Sequence, residues 1–276
     1  MTDGAPSALR AERAALRVLG VPLEIAALRR DGPGAPILFL HGFGSTKEDY
    51  ADIALHPAFD AHPVLAYDAP GCGRSVCAEL DRLGMPLLVE TAVALLDAFG
   101  VERAHVVGHS MGGLTGLLLA DRHPERVLSF SSIEGNVAPE DCFLSRQILS
   151  HADPDPERFL EAFALRASLA PAFASALFSA SLPHKVRAGA VGPIFTSMVE
   201  ASDRPGLLDR FLGLPMPRMF MHGAQNAGLS YLPRLRAEGV RVEEIPDCGH
   251  FPMYSNPVAM WRALHAFIRE TAETGG

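Results

Sequence analysis

The sequence is poor in cysteine, has no long apolar run and has no concentration of positive charge. Each deficit removes a class of protein. The four cysteines, Cys72, Cys77, Cys142 and Cys248, form no Cys-x-x-Cys pair and no metal-type spacing, so reduced thiols are expected. No apolar stretch approaches the roughly 18 residues that a membrane-spanning helix needs. Residues Met1 to Arg13 lack the apolar core of an export signal, and a cytoplasmic location is expected. The formal net charge is −8 and the basic residues are scattered, which argues against nucleic acid or an anionic membrane as partner. Eleven histidines are dispersed along the chain, and no pair at four-residue spacing lies on a helical pattern, so no metal centre is expected. Nothing in the sequence speaks to oligomeric state.

What the chain does have is size and apolar content. Its 276 residues are 48% hydrophobic, enough for one large core. Short β-type runs alternate with helical patterns. The runs are Ile37–Leu40, Val64–Tyr67, His105–Val107, Val127–Ile133, Arg218–Met221 and Val240–Ile245. Continuous rather than alternating hydrophobicity suits strands buried on both faces of a parallel sheet. Leu16 to Arg29 reads as an antiparallel pair turning at Gly20-Val21-Pro22. Between the runs, Leu88, Ala92, Leu95, Leu96 and Phe99 recur at helical spacing, and Asn256-Pro257 opens a last helix with Trp261, Leu264 and Phe267 on one face. The pattern predicts a doubly wound, mostly parallel α/β sheet. It breaks between residues 136 and 214, a helical stretch rich in Ala, Leu and Phe. Prolines at 154, 156, 171, 183, 193 and 205 are expected to cut that stretch into short helices. Residues 1–135 and 215–276 are therefore expected to form the core. Residues 136–214 are expected to form an inserted helical cap over the C-terminal strand ends, where open α/β sheets bind ligands.

Gly108-His109-Ser110-Met111-Gly112 follows the run Ala104–Val107 and precedes the helical pattern from Gly113. Strand, Gly-x-Ser-x-Gly, then helix is the layout of a nucleophile elbow. It presents a serine hydroxyl above the sheet edge, beside a helix N-terminus that favours developing negative charge. A serine nucleophile needs a base, and His250 in Cys248-Gly249-His250-Phe251-Pro252 follows the last strand, in the right order and on a loop. An oxyanion needs two donors. The candidates are the backbone N–H of Met111 and that of Phe43, in the loop His41-Gly42-Phe43-Gly44-Ser45. His41, Gly42, His109 and Asn226 are expected around the substrate.

These motifs together resemble the α/β-hydrolase fold family, from about Leu16 to Ile268. The resemblance rests on the His41-Gly42 loop, Asp68-Ala69-Pro70-Gly71-Cys72-Gly73-Arg74-Ser75, the Gly108–Gly113 elbow, Pro215–Gly223 and Gly249-His250-Phe251-Pro252. It implies that Asp68 shapes a loop and takes no part in chemistry. It also implies where an acid should lie, three residues after the glycine ending the Arg218–Met221 strand. That position is Asn226, an amide that orients an imidazole but cannot stabilise an imidazolium by charge. Some branches of the family place the acid one strand earlier, and here that position is Glu134. Its strand end lies between the elbow strand and the later one, so its carboxylate can meet His250 from the side opposite Ser110. Glu134 is the expected acid. Asp141, Asp247 and a dyad assisted by Asn226 remain as alternatives.

With Ser110, His250 and Glu134 so arranged, acyl transfer without a cofactor follows. The elbow serine argues against haloalkane dehalogenase or epoxide hydrolase chemistry, for which this family uses an aspartate there. A small ester or thioester with an apolar acyl part is the expected substrate. A C–C hydrolase, lyase or perhydrolase on the same scaffold is an alternative, and so is a non-catalytic small-molecule binding protein.

Overall fold

A computed structural model describes residues 8–151, 153, 155–170 and 173–274. Among them a central sheet has nine strands: β1 (Arg10–Val18), β2 (Val21–Arg30), β3 (Ile37–Leu40), β4 (Val64–Tyr67), β5 (Val76–Cys77), β6 (Ala104–His109), β7 (Val127–Ile133), β8 (Arg218–Gly223) and β9 (Arg241–Ile245). The lateral order is β1-β2-β4-β3-β6-β7-β8-β9, with β5 on β2. From β4 to β9 every neighbouring pair is parallel, and β1, β2 and β5 pair antiparallel at one edge. The expected α/β sheet is present. β3, β4 and β6 are buried along their whole length, as continuous apolar runs require when helices cover both faces.

The helices are α1 (Met85–Ala98), α2 (Met111–Arg122), α3 (Pro156–Ser168), α4 (Phe173–Lys185), α5 (Ala188–Asp203), α6 (Leu207–Leu212), α7 (Leu232–Ala237), α8 (Pro252–Ser255) and α9 (Pro257–Thr274). α1 buries Leu88, Ala92, Leu95 and Leu96, the stripe its spacing predicts. The Asn256 side chain accepts the Ala259 N–H at 3.2 Å and caps α9. On that helix Trp261 is buried edge-on to Phe39 and Phe59. Each such side chain contributes about 1.5–3 kcal/mol on burial. None of the helices among the described residues is long and apolar enough to cross a membrane.

Two local expectations change. The N-terminal hairpin starts at Arg10 rather than Leu16 and turns at Leu19-Gly20. Its outer strand buries only Ala14 and Val18, so its alternation is weak and hides the start. The prolines also interrupt the helical stretch less than expected. Pro156 opens α3 and Pro205 separates α5 from α6, but Pro183 and Pro193 lie inside α4 and α5. Tertiary packing overrides the local cost there: α5 buries Val191, Ile194, Phe195 and Met198 around its proline. Pro154 and Pro171 lie outside the described residues.

The register decides where the chemistry falls. Leu40 pairs with Gly108, His109 with Ile133, and Ile133 with Met221. The loops that follow β3, β6, β7 and β8 therefore leave the sheet side by side at one edge. The segment between β7 and β8, which carries α3 to α6, is tied back to the core. Arg187 N–H donates to Gly71 O at 2.9 Å and Gly73 N–H to Lys185 O at 2.8 Å. Lys185 Nζ donates to Asp49 at 3.2 Å. Asp68 is fully buried, and its carboxylate accepts the Lys47 N–H, the Lys47 ammonium and the Arg74 N–H. That is the loop-shaping part the sequence implied.

Candidate active site

Ser110 stands alone between β6 and α2, at φ 51° and ψ −117°. A non-glycine residue held there costs on the order of 1–3 kcal/mol, so the surroundings must impose it. Ser110 N–H donates to Ile133 O at 3.0 Å, and Leu114 N–H donates to Ser110 O at 3.0 Å. The two flanking glycines are needed for closeness of approach. A Cβ on Gly108 would stand 2.2 Å from Gly112 O, and one on Gly112 would stand 2.0 Å from Leu40 O. The turn is thereby locked against the end of β3.

His250 lies in the loop between β9 and α8, and its Nε2 is 3.0 Å from Ser110 Oγ. Its backbone is held from below: His109 Nε2–H donates to His250 O at 2.7 Å. Burial, with His250 alongside, pushes His109 down to about 3, so this support stays uncharged. Gln225 N–H donates to Cys248 O at 3.0 Å and joins the two loops that carry Asn226 and His250.

Glu134 is the residue after β7, also at a positive φ of 48°, and its N–H donates to Met221 O at 2.8 Å. Its Oε1 accepts the Gly223 N–H at 2.6 Å and its Oε2 accepts the Asn226 side-chain N–H at 2.8 Å. Oε2 also faces His250 Nδ1 at 3.5 Å, with both side chains largely buried. That separation is longer than a hydrogen bond, and Nδ1 has no hydrogen-bond partner of its own among the described residues. Catalytic hydrogen bonds commonly tighten when substrate binds. Asn226, which occupies the usual acid position, donates to the carboxylate of Glu134. With Nδ1 protonated towards Glu134, Nε2 accepts the Ser110 hydroxyl.

Neither alternative acid pairs with His250 among the described residues. Asp247 is exposed, at φ 54° in the turn after β9. Asp141 accepts the Val137 and Ala138 N–H groups and the Tyr231 hydroxyl, each at 2.8 Å. Burial pushes the Asp141 carboxyl up to about 6, against the lowering by those donors. A raised folded-state value means that stability is full at acid pH and is lost as pH rises through about 6. Asp141→Asn removes the charge. Measured by urea unfolding, its stability relative to the parent is expected to improve by about 2 kcal/mol between pH 4.5 and pH 8. An unchanged difference would show that the carboxyl titrates normally.

The loop after β3 lies directly on the serine. A Cβ on Gly42 would come within 2.6 Å of the His109 ring and 3.2 Å of Ser110 Cβ. Neither the Phe43 N–H nor the Met111 N–H is taken up by an acceptor among the described residues. The residues expected around the substrate are placed differently. His41 is buried, with Nδ1–H donating to Gly42 O at 2.7 Å and Nε2 accepting the Ala69 N–H at 2.8 Å. Burial lowers its proton affinity, and both nitrogens are spent on backbone. His41, Gly42 and His109 are buried and Asn226 is half-buried, and none of the four lines the space over Ser110. Asn136, Asp141 and Ser145 add polar edges to the narrow space over Ser110 and His250, but its wall is mainly aromatic, from Phe43, Phe143, Phe163, Phe178 and Phe195. Four of these five come from the segment between β7 and β8. The only sequence signal for them was its Phe and Leu content, which helix packing explains equally well.

The sheet order, the serine elbow and the histidine loop define an α/β hydrolase. The match to the alpha/beta hydrolase family runs over residues 37–263, and the chain belongs to that family. It is 43% identical over 101 residues to the dihydrolipoyllysine-residue acetyltransferase component of the acetoin cleaving system of Pseudomonas putida, covering 36% of this chain and 26% of that protein. It is 38% identical over 104 residues to the putative carbamate hydrolase RutD of Caulobacter vibrioides, covering 36% of this chain and 38% of that one. The chain therefore spans well under half the length of these curated relatives. Among solved structures it is similar to N-acyl homoserine lactonase AidH complexed with N-butanoyl homoserine. The TM-score is 0.72 at 21% identity, over 95% of this chain and 97% of that one. At that identity the likeness is one of fold.

Proposed function

We propose that the protein is a serine hydrolase that forms an acyl-enzyme on a small ester or thioester with an apolar acyl part. The observation that carries this reading is the 3.0 Å approach of His250 Nε2 to Ser110 Oγ, with Ser110 held in a strained turn beneath an aromatic cavity. His250 takes the hydroxyl proton as Ser110 Oγ bonds to the carbonyl carbon. The developing oxyanion accepts the N–H groups of Phe43 and Met111, each worth about 10²–10³ in rate. The C–O or C–S bond then breaks, and the leaving group takes the proton from His250. Water, deprotonated by His250, attacks the acyl carbon and frees the serine. Glu134 holds the ring in the required tautomer and stabilises its cation. The helical segment 136–214 acts as a cap that keeps bulk water from the acyl group. Names of the relatives, a carbamate hydrolase and a lactonase among them, support hydrolysis at a carbonyl.

The test has two parts. A fluorophosphonate probe is expected to label Ser110 stoichiometrically, read by peptide mass spectrometry. In a p-nitrophenyl ester series, kcat/KM is expected to be highest for short acyl chains that stay within the aromatic wall, and about 10-fold lower for decanoate than for butanoate. No label on Ser110 would overturn the reading.

A further inference from the structure

The space over Ser110 adjoins a second, outer one. The two share Phe143, Leu144, Phe163, Phe178, His250 and Phe251, but Ser110 and Phe43 line only the inner one. The outer space therefore borders the histidine and not the oxyanion donors. A substrate that seats its acyl group inside directs its leaving group outwards, along His250. The outer wall is apolar except for His250, Ser175, Gln147 and Arg166. Arg166 is in the last turn of α3, and its Nε–H donates to Gln147 Oε1 at 2.8 Å. Arg146 is paired with Asp203 at 2.5 Å and Arg158, on the same helix as Arg166, with Asp153 at 2.9 Å. Arg166 has no carboxylate partner among the described residues.

We infer that Arg166 is a specificity residue that binds an anionic group on the leaving-group side of the substrate. The proposal rests on the acyl-transfer reading and deepens it. The substrate class is an ester or thioester of a small apolar acid with an alcohol, phenol or thiol that carries a negative charge. The N–H groups of Arg166 that Gln147 does not take suit bidentate binding of a carboxylate or phosphate. With the chain at net charge −8, the field far from this wall repels anions, so the preference must be local.

The test compares 4-acetoxybenzoate with its methyl ester, a neutral analogue of the same shape. The parent enzyme is expected to favour the anion, with a lower KM. Arg166→Gln is expected to cut the anion-to-neutral ratio of kcat/KM about 10-fold, chiefly through KM, and Arg166→Lys to retain part of it. Arg158→Gln makes the same change of charge on the same helix and is expected to leave the ratio intact. Circular dichroism reports that each variant is folded. A ratio that Arg166→Gln does not change, or that Arg158→Gln changes equally, overturns the assignment. If the methyl ester is hydrolysed without preference for the anion, only this inference fails. If neither ester is hydrolysed and Ser110 takes no fluorophosphonate, the acyl-transfer reading fails and takes the assignment of Arg166 with it.

Discussion

Ser110→Ala is expected to lower kcat for p-nitrophenyl ester hydrolysis by about 10⁶-fold and to abolish fluorophosphonate labelling, with no loss of stability. The side chain makes one hydrogen bond, to His250 Nε2, and caps no helix. Alanine at φ 51° is as strained as serine, so the turn and its neighbours keep their places. The loss is then chemical and not structural. Ser110→Gly separates the two effects further. Glycine takes positive φ without penalty, so this variant is expected to be equally inactive yet more stable by about 1 kcal/mol, a Tm higher by about 2 °C. Calorimetry beside a rate assay reads both. A Ser110→Gly protein that melted lower would mean that the hydroxyl, and not the surrounding backbone, holds the elbow in shape.

Glu134→Gln is expected to cost about 10⁴ in kcat with little change in KM. The Gly223 N–H keeps an oxygen to donate to, so the loop after β8 stays in place. What changes is the group facing His250 Nδ1. An amide there removes the charge that stabilises the imidazolium and permits the wrong tautomer. The geometry offers a sharper version, because Asn226 already donates to Glu134 Oε2 at 2.8 Å. Exchanging the two roles, as Glu134→Gln with Asn226→Asp, places a carboxylate at the position the family more often uses and an amide beside it. The double variant is expected to recover at least 100-fold of the lost kcat. If Glu134→Gln retained full activity, the acid would have to be sought elsewhere. If the double variant recovered nothing, position 226 would be out of reach of the ring.

Most of the frame was legible because its signals are local. Continuous apolar runs mark β3, β4 and β6, since a strand buried on both faces needs no polar side. Gly108 and Gly112 flank the serine because any Cβ there would strike a backbone carbonyl, and that constraint is written into five consecutive residues. The histidine was legible by order, as the first histidine after the last strand. The hairpin start was less so, because an edge strand with one weakly buried face carries little period. The short β5, two residues long, carries no pattern at all.

The site's surroundings were not legible in the same way. His41 and His109 are polar residues beside a reactive serine in sequence, and that proximity points to substrate contact. In three dimensions both are buried without lining the cavity and hold loops, since a buried imidazole finds its partners among backbone groups already there. The wall that a substrate meets is built by Phe143, Phe163, Phe178 and Phe195, which are distant in sequence from Ser110. Their apolar pattern is that of any packed helix.

By itself the sequence determined the α/β sheet, the family, the elbow at Ser110 and the shortage of an acid at 226. Each of these depends on neighbours within a few residues or on the order of motifs along the chain. Tertiary structure alone decided that Glu134 faces His250 while Asn226 serves Glu134, that aromatic rings from α3, α4 and α5 close over the serine, and that Arg166 stands beside the outer opening, hydrogen-bonded to Gln147. These are contacts between strand ends and helices far apart in the chain. Sheet register and helix packing set such distances, and no local pattern encodes them.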